Sequence, residues 1–276
     1  MNAALKVSGF AAGLAVVLGV AWAAGAAVGP VVDEPEPMVH GADGSHGSGE
    51  HLPGGLAVAQ DGYRLVLAEE VLAPGTRRLT FSVLGPDGLP VTAYDVEHEK
   101  QLHLILVRRD FEGYQHLHPV LDEETGEWTT DARLTPGGWR VLADFVPRGG
   151  EDLTLGSDLL VPGNVDAPPA LPVTRTDTVD GYTVTVDGDL VAGEHSMLTM
   201  AVSQDGRPVT DLQPYLGAAG HLVALREGDL AYLHVHPGAD GLEFGAEVPS
   251  PGRYHLYLDF KVGGVVRTAQ FLLAAS

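Results

Sequence analysis

Cysteine is absent from all 276 residues. That removes disulfides, thiolate zinc sites, blue-copper centres and cysteine nucleophiles together. Basic residues are scarce, with 16 Lys and Arg against 37 Asp and Glu, and the formal net charge is −21 at pH 7. Such a surface repels phosphate backbones and anionic membranes, so nucleic acid is not an expected partner. It attracts cations, though diffusely. Methionine is rare as well: Met38, Met197 and Met200 follow the initiator, and none sits beside the paired histidines described below. A thioether site for Cu(I) therefore has little to draw on. Catalytic signatures are also missing. There is no GxSxG elbow, no P-loop, no GxGxxG opening a helix and no HExxH, so an enzyme is not expected.

What is present is turn chemistry and apolar content: 36 glycines, 19 prolines and 45% hydrophobic residues. The first two suit an all-β protein and the third is enough to bury cores. After Lys6 the chain runs to Val32 without a charge. A bilayer helix needs roughly 20 apolar residues and a signal-peptide core only about 7–15. Residues 1–32 accordingly read as a single membrane anchor, with Lys6 cytoplasmic and everything downstream outside. A signal peptide cleaved near "AGA" at residues 24–26 is the alternative, and in either case the bulk of the chain is exported. Residues 33–55, rich in Pro, Gly, Ser and acid, read as a flexible tether carrying His40, His46 and His51. Such histidines can scavenge metal ions loosely, or be incidental.

Beyond the tether the chain aligns with itself. "DGLPVT" at residues 87–92 recurs as "DGRPVT" at 205–210, and "HLILVRRD" from His103 as "HLVALREGD" from His221. "YQHLHP" at 114–119 recurs as "YLHVHP" at 232–237, and "PGGWRVLADF" at 136–145 as "PGRYHLYLDF" at 251–260. A unit of this length is a domain, not a solenoid repeat. The expected organisation is one domain over 56–162, a Pro-rich join over 163–173 and a second domain over 174–276. Runs such as "YRLVLAE", "RRLTFSVL", "LHLILVRR", "WRVLADF" and "LTLGSDLLV" are short and β-rich, separated by turn-forming residues. About seven such strands in roughly 100 residues is the arithmetic of an immunoglobulin-like sandwich. The fold class expected is all-β: two tandem immunoglobulin-like β-sandwiches after an N-terminal membrane helix.

Histidine is where chemistry concentrates. Residues two apart on a strand share a face, so His116 and His118 project together, as do His234 and His236. His103 lies thirteen residues before His116, and His221 thirteen before His234. A hairpin over each segment brings three imidazoles to one end of a strand pair. The expectation is one site per repeat for a divalent transition metal, Cu(II) ahead of Zn(II). Its ligands are His103, His116 and His118 in the first copy and His221, His234 and His236 in the second. Asp144 and Asp259 are second-tier candidates, as further ligands or as acceptors for an imidazole N–H. On the strand around Asp259, Tyr254, Leu256, Leu258 and Phe260 point inward while His255, Tyr257 and Asp259 share the other face. "EHE" at 97–99 adds donors to the first copy only, where the second has "YLGAAG". The bland alternative is a set of packing histidines that satisfy backbone carbonyls or Asp144.

The segments "QLHLILVRRDFEGYQHLHP" and "PYLGAAGHLVALREGDLAYLHVHP" resemble exported actinobacterial-type proteins labelled heavy-metal-binding or secreted, and the immunoglobulin-like YtkA/FixH-type domains attached to metal-transport systems. The resemblance covers both repeats and is strongest over residues 221–237. It implies an extracytoplasmic β-sandwich and a role in handling copper or another heavy metal. The expected function is metal buffering or delivery, with a membrane metal transporter or surface protein as partner. The alternative is a surface protein–protein interaction module with structural histidines.

Overall fold

Alternation of β-branched or long apolar residues with Thr, Ser and charge fixes which face of each strand turns inward. In the computed structural model the described residues are 53–165, 172–233, 235–238 and 241–276. The expected membrane segment over 1–32, the tether histidines His40, His46 and His51, and His234 lie outside them. The described residues contain no helix. The first repeat is built from β1 (Ala59–Gln60), β2 (Tyr63–Leu67), β3 (Gly75–Leu84), β4 (Tyr94–Asp95), β5 (His103–Arg108), β6 (Gln115–Leu117), β7 (Val120–Asp122), β8 (Glu127–Leu134), β9 (Gly137–Pro147) and β10 (Leu153–Val161). The second uses β11 (Thr176–Val179), β12 (Tyr182–Asp187), β13 (His195–Gln204), β14 (Arg207–Pro208), β15 (Gly220–Arg226), β16 (Tyr232–Leu233), β17 (Val235–Pro237), β18 (Glu243–Glu247), β19 (Gly252–Val262) and β20 (Val265–Ala275).

Each repeat folds into two antiparallel sheets. In the first repeat the orders are β1-β2-β3-β8-β7 and β10-β9-β5-β6; in the second they are β11-β12-β13-β18-β17 and β16-β15-β19-β20. The two repeats therefore share one topology, the ABED-against-GFC arrangement of an immunoglobulin-like sandwich. The strand β8 was not among the runs marked in the sequence. It alternates Trp128, Thr130, Ala132 and Leu134 inward with exposed Glu127, Asp131 and Arg133, and its charges mask the pattern. The repeats also anchor a large ring in the same way. Trp139 Nε1 donates to the Thr135 carbonyl at 2.8 Å, and the equivalent Tyr254 hydroxyl donates to the Ser250 carbonyl at 2.7 Å.

Each sandwich has its own core. Leu104, Leu106, Trp128, Trp139 and Phe145 belong to the first, and Leu222, Phe244, Tyr254, Leu256 and Phe260 to the second. A third cluster joins them: Ile105, Val107, Phe111, Leu142, Val223, Leu225, Leu230, Tyr232 and Tyr257. Strand β5 accordingly has no exposed residue. Leu104 and Leu106 enter their own sandwich, while Ile105 and Val107 meet the other repeat. This is why "HLILV" and "HLVAL" are unbroken apolar runs rather than alternating ones. Around this seam Tyr114 stacks on Tyr257 at 3.8 Å, Phe111 stacks on His255 at 3.6 Å, and the Tyr257 hydroxyl donates to the Phe111 carbonyl at 3.0 Å.

The chain just before the first repeat is part of the seam. The Gly54 carbonyl accepts from Tyr232 N at 2.9 Å, and Gly55 N donates to the Thr154 carbonyl at 2.7 Å. The buried Arg140 guanidinium donates to the carbonyls of Gly55 and Leu56. A β-carbon at Gly156 would lie 2.0 Å from the Gly55 oxygen, so only glycine admits this strap. Gly54 and Gly55, within the stretch expected as tether, are thus held by both repeats.

If the third cluster couples the sandwiches, Tyr257→Ala removes a stacked ring and a buried hydrogen bond from it. The expected loss is roughly 3–5 kcal/mol, the usual range for deleting a buried aromatic. Calorimetry of the full-length chain should show one transition in the parent and two in the variant. An unchanged single transition would mean the seam carries little of the stability.

Candidate metal centre

The register of β5 and β6 determines where the first-repeat histidines point. Leu104 pairs with Leu117 and Ile105 with His116. His116 therefore shares the face of Ile105, which looks toward the second repeat. One step further along the same register, His118 falls opposite His103. The HxHP phrase is where the chain leaves β6 for β7 in the other sheet, and Pro119, lacking an N–H, suits a position between two ladders.

These three imidazoles converge as the hairpin spacing implied. One ring nitrogen from each of His103, His116 and His118 lies within 4.8 Å of the others. His103 Nδ1 and His116 Nε2 face one another at 3.0 Å. Their outer nitrogens are both occupied: His103 Nε2 donates to the Glu97 carbonyl at 3.2 Å, and His116 Nδ1 meets Asp259 Oδ2 at 2.8 Å. Asp259 is fixed in turn by the Thr268 hydroxyl, which donates to its other oxygen at 2.6 Å. His118 Nε2 is buried and has no protein partner.

Of the set expected in the second repeat, His221 and His236 are among the described residues. His221 joins the first repeat's cluster, its ring stacked 5.3 Å from His103 and tilted 4.7 Å from His116, with its Nε2 buried and without a protein partner. His236 lines a cavity of about 210 Å³ with His98, His103, His221, Asp144 and Asp152. Among the described residues, His103, His116 and His118 are the one group of three that can share an ion. His234, the third member of the set expected in the second repeat, lies outside those residues. Facing sheets carry His221 across to its counterparts, which no hairpin rule anticipates. Of the second-tier pair, Asp259 is the acceptor for an imidazole, but for one of the other repeat. Asp144, its equivalent, is opposite His103 in register yet takes hydrogen bonds from Thr154 at 2.8 Å and weakly from Tyr232 at 3.5 Å.

Burial dominates the electrostatics. Desolvation lowers His103 to about 4, and His116 and His118 to about 3. It drives His221 well below the ordinary imidazole value. It raises Asp259 to about 7 and Asp144, with help from the nearby Asp152 charge, to about 7. The His116–Asp259 contact is thus a hydrogen bond sharing a proton rather than an exposed ion pair. At neutral pH the imidazoles are uncharged, the form that ligates metals, and His103 Nδ1 and His116 Nε2 hold one proton between them.

The same shifts set a pH response for the metal-free fold. Four clustered imidazoles, and His255 lowered to about 4 by burial, have folded values below the unfolded value near 6.5. Unfolding therefore takes up protons as the pH falls from about 6.5 toward 4, and stability is lost through that window. The two raised carboxyls act oppositely but are outnumbered. Thermal melts in chelator should fall across this range, with a shallower slope for His118→Gln. A flat or rising melting temperature would contradict the buried neutral state.

No curated protein matches the chain significantly. Among solved structures, Salmonella alpha-2-macroglobulin reacted with methylamine is 12% identical over 81% of this chain, with a TM-score of 0.27, and the match spans only 15% of that protein. A titin structure is 13% identical over 78% of this chain and 97% of its own, with a TM-score of 0.21. The FN1–FN3 domains of chicken CNTN1 give 12% identity over 80% of this chain and 65% of their own, with a TM-score of 0.21. A family model described as a domain of unknown function, DUF8832, matches residues 57–158 and again residues 177–276. The two matched segments coincide with the two sandwiches, so the chain belongs to the DUF8832 family and carries its domain twice.

Proposed function

We propose that the chain is an extracytoplasmic binding protein that holds one divalent transition-metal ion, copper ahead of zinc, at the seam between its two repeats. The ligands are His103, His116 and His118, with His221 beside them. The observation that carries this reading is the convergence of three ring nitrogens within 4.8 Å. Two of those rings are already oriented from behind, by the Glu97 carbonyl and the Asp259 carboxyl. Outer partners of that kind fix the tautomer and direction of metal-ligating histidines.

Geometry and cost both favour an ion over a packing role. Bonds of about 2.0–2.1 Å to a tetrahedral ion set ligand nitrogens roughly 3.3–3.4 Å apart. The His103–His116 pair at 3.0 Å opens by a few tenths of an ångström, and His118 closes in. A purely structural cluster leaves the Nε2 atoms of His118 and His221 buried without a protein partner, at about 1–3 kcal/mol each. An ion at the triad gives His118 a bond. An all-imidazole set suits Cu(II) and Zn(II), and the Irving–Williams order places Cu(II) first. With an exported chain and a membrane anchor, as the sequence leads one to expect, the role is buffering an ion or delivering it to a membrane transporter, not turnover.

The test is titration of the full-length chain in detergent with Cu(II), Zn(II) and Ni(II), with His40, His46 and His51 replaced by Ser. One ion per chain is expected, lost in His116→Ala and in His118→Ala. Asp259→Asn should weaken affinity about 10–100-fold, as loss of an outer-shell partner does, while Asp144→Asn changes it little. Two ions per chain would restore one site per repeat. Binding no tighter than about 100 μM would make the histidines structural and favour a protein-interaction module.

A further inference from the structure

The turn over residues 97–100 places two non-glycine residues in the left-handed region, where the second repeat places one. Glu97 N donates to the Lys100 carbonyl and Lys100 N to the Glu97 carbonyl, each at 2.9 Å. The two central residues, His98 and Glu99, take φ values of 46° and 66°. This is the mirror-image two-residue turn, which favours glycine or asparagine at both centres. The second repeat closes the same turn between Tyr215 and Ala218, but with Leu216 at φ 55° and Gly217 at φ 79°. Leu216 is buried there, while His98 is exposed. A left-handed pair without glycine is tolerated only where its surroundings enforce it, and such sites cluster at functional positions.

What the turn does is hold an imidazole over the cluster. It is docked by the Glu97 carbonyl, which takes the hydrogen bond from His103 Nε2 at 3.2 Å. The exposed His98 ring is 5.7 Å from His221 and 6.1 Å from His103. His221 lines the cavity with its Nε2 buried and unpartnered, and its ring lies against His103 and His116. Asp95, Glu97 and Asp152 border the same cavity, against a single ammonium from Lys100. Exposed His98, half-buried His221 and buried His103 form a graded line leading inward from an acidic mouth.

We infer that His98 and His221 are a capture station through which a divalent metal ion passes from solvent to the His103/His116/His118 triad. The inference rests on the metal reading above. The carboxylates raise the local cation concentration, His98 takes the first coordination position, and His221 the second. Centroid steps of 5–6 Å let the ion exchange one imidazole at a time without returning to full hydration. Because the station lies on the path and not at the endpoint, it speeds loading and unloading equally.

Stopped-flow mixing of Cu(II) with the full-length chain, its tether histidines replaced by Ser, tests this against an equilibrium titration. Asn tolerates a left-handed φ, so His98→Asn keeps the turn. The expected result is association about tenfold slower, a factor typical of local steering and capture, with the equilibrium affinity held and the melting temperature kept. Glu99→Gly, which copies the second repeat's relief but retains His98, should load at the parental rate. Parental loading in His98→Asn would overturn the inference while leaving the site standing. A loss of affinity as large as in His118→Ala would overturn it too, by making His98 an ordinary ligand. Absence of Cu(II) binding in the parent would remove both readings together.

Discussion

The central strands of one sheet in each sandwich are buried on both faces, and the rest of the molecule follows from that. Strands β5 and β9 fill their own core with Leu104, Leu106, Trp139 and Phe145, and present Ile105, Val107 and Leu142 to the other repeat. Strands β15 and β19 do the same with Val223, Leu225 and Tyr257. Apolar burial of this kind is non-directional and supplies the attraction. It also dictates that any polar side chain on those faces must find its partner across the seam. His116 and Asp259, 143 residues apart, are such a pair.

The seam brings residues of both repeats to the cluster of His103, His116 and His118. A twofold arrangement of identical repeats presents each face to its own counterpart, so the rings of equivalent histidines meet, as His103 and His221 do. Divergence then assigns roles. The first repeat keeps the three converging imidazoles and the turn without glycine, while the second supplies the carboxyl behind His116 and the ring beside His103. Elsewhere the same exchange is structural: Arg140 stands where the second repeat has His255, and its guanidinium holds the strap at Gly55. His255 instead lies flat on Phe111.

Much of the fold was legible because it is local. Turn residues and short β-rich runs placed the main strands, and the repeated phrases placed the domains. The thirteen-residue spacing foresaw that His103, His116 and His118 converge, because a hairpin's register is set by its own sequence. The face shared by His255, Tyr257 and Asp259 was legible from period two. What each of those residues touches was not, since the partners lie in the other repeat. A signal was present in "HLILV" and "HLVAL", whose lack of alternation marks strands covered on both sides. It indicates that a second surface covers the strand, but not which one.

A site assembled from both repeats differs physically from two sites assembled within them. An ion that binds only the folded, docked pair stabilises that pairing by its own binding free energy, through mass action. A site confined to one hairpin stabilises that sandwich alone. Here the triad lies in the first repeat but is oriented through Asp259, itself held by Thr268 of the second. Rotating one sandwich against the other would uncover the Ile105–Val223 face and turn Asp259 away from His116 in the same motion. Apolar contact between the repeats and the aim of the imidazoles are therefore one constraint.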